Sequence, residues 1–145
     1  MSGAHIATDI WDEVYPVSFE KSFRDAGKKF AREVLGYKWT RNYASRTGEV
    51  LFAESERAGT EEGEAGRFHN TINSVCYSVE APDAIAPASK KGSTFLYYGD
   101  TGLSAGICHE GTGYKTVCLG FPIETLKDNR SIDNIISITL EFFYK

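Results

Sequence analysis

The sequence predicts one α/β domain of mixed α and β structure, in which a mixed sheet is flanked by helices and ends in a strand meander and a terminal helix. Two helical periodicities, one starting at Ser18 and one after Pro122, enclose several short alternating runs broken by glycine-rich turns. The chain has 145 residues, 41% of them hydrophobic and 25% charged, which suits a single globular core. Strands between helices at both ends place it among the mixed folds.

From Ser18 onward, Phe19, Phe23, Ala26, Phe30, Val34 and Leu35 recur at steps of three and four, the spacing of a helix face turned to a core. Ser18 is its N-cap candidate and Gly36 its stop. Two alternating runs follow, Lys38 to Ser45 and Glu49 to Ser55, and Thr47-Gly48 between them predicts a hairpin. The stretch "ERAGTEEGEAGRFHN", Glu56 to Asn70, lacks apolar periodicity and reads as an exposed loop with no core of its own. Beyond it, Pro82 and Pro87 interrupt "SVCYSVEAPDAIAPAS", which predicts an extended segment over the surface.

"STFLYY", "LSAGICHE" and "YKTVCLGFP" are strand-like runs separated by the turn formers Gly99 to Gly102 and Glu110 to Gly113, so they predict a meander. After Pro122, Ile132, Ile135, Ile136, Leu140 and Phe143 fall on one stripe of a helix, with Asp128 or Asn129 as its cap. No segment repeats another.

Sixteen basic and twenty acidic side chains give a net charge of -4, which argues against nucleic acid or an anionic membrane as the partner. Cys76, Cys108 and Cys118 are odd in number and lack C-x-x-C spacing, so they predict buried thiols rather than a disulfide framework or zinc site. The first residues lack a basic region followed by an apolar run. No stretch is long and apolar enough to span a bilayer.

Gly102-Leu103-Ser104-Ala105-Gly106 fits the G-x-S-x-G pattern of a nucleophile elbow. An elbow needs a strand, a tight turn and then a helix, whereas Ser104 lies in a run that alternates into Ile107 and leads to another turn and strand. The histidine downstream, His109, is too near in the same run to fold back on it. Ser104 therefore reads as a strand serine. His5, Asp9 and Asp12 would share a face if their segment were helical, and they are the metal candidates, although their spacing matches no strong signature. In Cys108-His109-Glu110, strand alternation puts His109 on the face opposite its neighbours, which separates a thiol from its base. Trp11, Trp39, Tyr37, Tyr43 and Phe52 could stack on a sugar ring, but aromatic residues at such spacings more often build a core.

Several patches resemble the C-terminal domain of large secreted Bacteroidetes proteins labelled xanthan lyases. These are Tyr77, Pro82, Asp83 and Pro87; then Ser104, Ala105 and Gly106; then Gly120, Phe121, Pro122 and Glu124; and the opening "SGAHIATDIWD". The resemblance implies a flavodoxin-like portion, related in architecture to class I glutamine amidotransferases, and a secreted or periplasmic location. Those enzymes carry a histidine and a glutamate at the turn where this chain has Gly120-Phe121-Pro122-Ile123-Glu124, so an acid is present and the histidine is not. The resemblance thus implies a non-catalytic accessory or binding domain of a polysaccharide- or cell-envelope-acting protein, with no cofactor. A glycan and the upstream domains of the same protein are its implied partners. It also implies parallel strands before Ser2, whose absence would expose a strand edge and favour self-association. The alternative is a polysaccharide lyase or glycoside hydrolase with Glu124, Asp83 and His109 as acid and base candidates. A third reading is a structural domain that completes a larger sheet.

Overall fold

The computed structural model describes residues 1–3, 7–11, 21–53 and 63–145. In chain order these form α1 (Thr8–Trp11), α2 (Lys21–Phe30), a π-helical turn (Ala31–Leu35), β1 (Tyr37–Arg41), β2 (Glu49–Phe52) and β3 (Glu64–Arg67). There follow β4 (Ala84–Pro87), β5 (Gly92–Tyr98), β6 (Ser104–Glu110), β7 (Lys115–Leu119), a 3-10 turn (Ile123–Thr125) and α3 (Asn129–Tyr144). The fold is mixed α and β.

A five-stranded sheet runs in the order β3-β2-β5-β6-β7, and a separate two-stranded sheet joins β1 to β4. All of these pairings are antiparallel. A flavodoxin-like order of parallel strands is therefore not seen among the described residues. The parallel pairing that is present is an isolated bridge between Ser2 and Leu119 at the outer edge of β7, where the Met1 carbonyl accepts from the Leu119 amide.

The predicted meander is β5-β6-β7, and the terminal helix begins where its cap predicts, with the Asp128 carboxylate accepting from the Ser131 amide at 2.8 Å. Gly36 ends the first helical segment at φ 79°, and its amide donates to the Ala31 carbonyl. Ser18 lies outside the described residues.

Four expectations are corrected. The first is the hairpin: β1 pairs with β4 and β2 with β3 and β5, because the Thr40 hydroxyl binds the Ala84 carbonyl and the Trp39 indole reaches Asp83, drawing β1 away from β2. The glycine-rich stretch, secondly, does contribute core. Glu64–Arg67 forms β3, and Phe68 is fully buried against Tyr98 and stacked on Phe121 at 5.4 Å between centroids. A fully buried phenylalanine contributes about 2 kcal/mol. Thirdly, the stretch around Pro82 and Pro87 does not merely cover the surface, since Ala84 and Ile85 are fully buried in β4. Lastly, the predicted stripe of α2 is not a core face: no residue of α2 is buried, with Phe23 57% and Phe30 54% exposed, and its close contact with α1 runs through Gly27 against Ile10. The stripe predicted for α3 faces the core at Ile132 and Ile135 but not beyond them. Ile135 is buried, and Ile132, Ile138 and Phe142 pack on the core, while Ile136, Leu140 and Phe143 are exposed.

The sheet divides the interior in two. Successive strand residues point to opposite faces, so Ile107 joins a small cluster with Ala7, Ala31, Tyr37, Ile85 and Cys118, while Cys108 joins the larger core beneath α3.

Asp83 ties these layers together. Its carboxylate has no solvent exposure and accepts from the Ala7 amide at 3.1 Å, the Thr8 hydroxyl at 2.7 Å and the Trp39 indole at 2.9 Å. Its own amide donates to the Gly120 carbonyl, and its carbonyl accepts from the Tyr98 hydroxyl. A side chain at Gly120 would collide with that carbonyl, so glycine is required there by close approach.

Replacing Asp83 by Ala leaves three donors without an acceptor, which predicts a loss of about 3 kcal/mol in urea unfolding, with Asp83→Asn losing about half as much. An Ala variant within about 0.5 kcal/mol of the parent would contradict this role.

Candidate functional site

The exposed polar surface with the most chemistry lies where the segment from Phe68 to Asp83 crosses the 3-10 turn. Phe68 bridges Leu126, the His69 amide donates to the Thr125 carbonyl, and the Val79 amide donates back to the His69 carbonyl. Between these anchors the Asn73 side chain accepts from the Val75 and Cys76 amides, a local turn that asparagine favours. Pro122 leads into the 3-10 turn, which the Thr125 hydroxyl closes on the Pro122 carbonyl. Both walls are thereby fixed.

Across the gap the Tyr77 hydroxyl donates to Glu124 Oε1 at 2.7 Å, while 56% of Tyr77 remains exposed. Desolvation, then the hydrogen bond and negative charge of Glu124, push the phenol up to about 12. The pair sits in an open cleft of about 410 Å³ lined by Ser2, Gly3, Tyr77, Glu80, Pro122 and Glu124. This volume is in the range of small-ligand sites.

A second cleft, of about 360 Å³, is lined by Tyr43, Arg46, Asn70 and Glu80 and shares Val79 and Glu80 with the first. Tyr43 is 58% exposed and is the one non-glycine with positive φ, 52°, among the described residues. Holding a tyrosine in that conformation costs on the order of 1 kcal/mol. It is held by its neighbours: the Asn42 side chain accepts from the Tyr43 amide, and buried Ala44 is bonded to the Pro82 carbonyl and the Thr101 hydroxyl.

The three acid and base candidates are not brought to one open surface. Glu124 lines the cleft, Asp83 is buried among its three donors, and His109 is buried on β6. The His109 ring packs beneath Gly36, where a side chain would collide with it, and its Nδ1 has no hydrogen-bond partner among the described residues. Ser104 begins β6 and shares a hydrogen bond with the Thr94 hydroxyl at 3.0 Å, as a strand serine should. Cys108 and Cys118 are buried, and burial raises the Cys118 thiol above its ordinary value.

Of the metal candidates, His5, Asp12 and the Asp9 side chain lie outside the described residues, and among the described residues no His, Cys, Asp and Glu group is arranged to hold a metal. The aromatic set does not form a platform. Tyr37 and Phe52 are core, Trp11 and Trp39 are half-buried, and Tyr43 alone is largely exposed.

No family model matches the chain, and neither a curated protein nor a solved structure matches it. The sequence reading missed Arg46, Asn70 and Glu80 as cleft residues, and no local pattern marks them. The pairing of Tyr77 with Glu124 spans 47 positions and is equally invisible to periodicity.

A raised folded-state value means that the contribution of Tyr77 to stability is complete below its unfolded value of 10.0 and is lost as pH rises toward about 12. Desolvation raises the buried Tyr98 phenol in the same direction, as do the charges of Asp83 and Asp100. Phenolate absorbance, taken as the difference from Tyr77→Phe, should place Tyr77 near 12, and Glu124→Ala should return it toward 10.0. No change in that variant would contradict the pairing.

Proposed function

We propose that this chain is a non-catalytic accessory or binding domain that holds a glycan for a secreted polysaccharide- or cell-envelope-acting protein. The observation that carries the proposal is the pair of adjoining clefts, each walled by a tyrosine more than half exposed and each edged with polar side chains. Exposed aromatic faces supply apolar contact for the carbon face of a sugar, while neighbouring carboxylates, amides and guanidinium groups bond its hydroxyls. The sequence resemblance to the C-terminal domains of proteins labelled xanthan lyases agrees with this reading and supplies the secreted location. The upstream part of the same protein is then the partner that performs the chemistry.

The catalytic alternative draws on the short bond between Tyr77 and Glu124, which joins a hydroxyl to a carboxylate in an open cleft. Lyase chemistry also needs a cation or a basic side chain to stabilise the enolate formed beside a uronate carboxylate. The described residues lining the Tyr77 cleft include no Lys or Arg.

Affinity electrophoresis of the chain against acidic, neutral and amino polysaccharides, with absorbance monitored for unsaturated product, separates the two readings. Retention without product is expected. Tyr77→Ala and Tyr43→Ala should each weaken retention about fivefold, equivalent to roughly 1 kcal/mol. Product that forms with the parent and is lost in Glu124→Gln would replace binding with catalysis.

A further inference from the structure

The two clefts differ in charge. Around Tyr77 the acidic side chains are Glu80 and Glu124, with no basic residue among the described lining residues, whereas the Tyr43 cleft sets Arg46 and Asn70 beside the shared Glu80. Neither Glu80 nor Glu124 is ion-paired with a described residue, and both are exposed at the cleft wall. The Tyr77 hydroxyl takes only one oxygen of Glu124, which orients the carboxylate and leaves Oε2 able to accept a further donor. The Tyr77 ring, more than half exposed, presents a π face within the same cleft. Two carboxylates with no ion-pair partner among the described residues, beside an open aromatic face, form an environment that favours a cation and disfavours an anion.

We infer, building on the glycan-binding reading above, that the Tyr77 cleft takes a sugar unit bearing a protonated amine, so that the domain selects amino-sugar glycans over uronate-rich ones. The ammonium donates to Glu124 and Glu80 while the sugar's carbon face lies on Tyr77. Arg46 opposes a second cationic unit at the Tyr43 end. A bound chain is thus oriented, with its amine at Tyr77 and a neutral or acetylated unit at Tyr43. The charge selection is a property of the surface and is independent of the buried Asp83 and His109.

The test uses the whole chain and three hexasaccharides of like length: glucosamine, N-acetylglucosamine and a uronic acid. Titration calorimetry is run in mildly acidic buffer, which keeps the glucosamine amines protonated, at low and at raised salt. Glucosamine hexamer should bind at least threefold more tightly than its acetylated counterpart, and the uronate should bind weakest. Raised salt should narrow that gap, since exposed charge pairs are screened. Glu124→Gln and Glu80→Gln should each remove about two- to threefold of the preference without abolishing binding, as expected for exposed pairs. Tyr77→Phe, which keeps the ring and frees the Glu124 carboxylate, should retain the preference, and Tyr77→Ala should weaken all ligands together. Equal affinity for the acetylated and free-amine hexamers, or tightest binding of the uronate, would overturn the amine selection and leave glycan binding standing. Absence of binding to every hexamer would overturn both.

Discussion

The carboxylate of Asp83 is buried, has no ion-pair partner among the described residues, and is satisfied by donors from two distant segments, the turn entering α1 and the indole of Trp39 on β1. A buried carboxyl group is tolerated only when its polar atoms are met by well-placed partners. Meeting them fixes where three pieces of chain lie. α1 has four residues and is too short to persist alone, so a cap arriving from 75 positions away is what positions it on β1. The same residue's backbone joins Gly120, at the end of β7, to Tyr98, at the end of β5. One residue thus holds the two-stranded sheet against the five-stranded one.

The candidate site inherits its rigidity from that junction. Val79 is buried in the core and Glu80 emerges beside it, four and three positions before Asp83, so anchoring Asp83 also sets the ridge shared by the two clefts. On one side the Pro82 carbonyl holds Ala44 and hence the left-handed Tyr43, and on the other the 3-10 turn following Gly120 carries Glu124. The polar groups segregate accordingly. Asp83 and His109 do their work inside the fold, and Tyr43, Tyr77, Glu80 and Glu124 face solvent. Acid and base types that look interchangeable in the sequence are separated by burial in the fold.

What the sequence disclosed is what local physics controls. The meander was legible because its turn glycines and alternating runs are adjacent, and α3 was legible because Asp128 caps it three residues before Ser131. The left-handed stop at Gly36 belongs to the same class. Long-range choices were not legible. The Thr47-Gly48 turn suggested that β1 and β2 pair, yet β1 is taken by β4 through bonds across 44 positions. Phe68 looked stranded in a glycine-rich stretch, and only its stacking on Phe121 gives it a place in the core. On α3 helical spacing identified an apolar stripe but could not tell how far it follows the core, and on α2 it identified one that is not buried. The cleft residues come from segments with no shared pattern, so only the folded arrangement assembles them.

The central claim, that ligands are held on the surface running from Tyr43 over Val79 and Glu80 to Tyr77 and Glu124, is tested most directly by amide chemical-shift mapping. The uniformly labelled chain is titrated with glucosamine and N-acetylglucosamine hexamers. The account predicts that the largest shifts fall at Tyr43, Asn70, Tyr77, Glu80 and Glu124, with little change around His109. Shifts centred instead on a separate open cleft lined by Gly111, Tyr114 and Phe143, near the C-terminal end of α3, would contradict it and move the binding surface there.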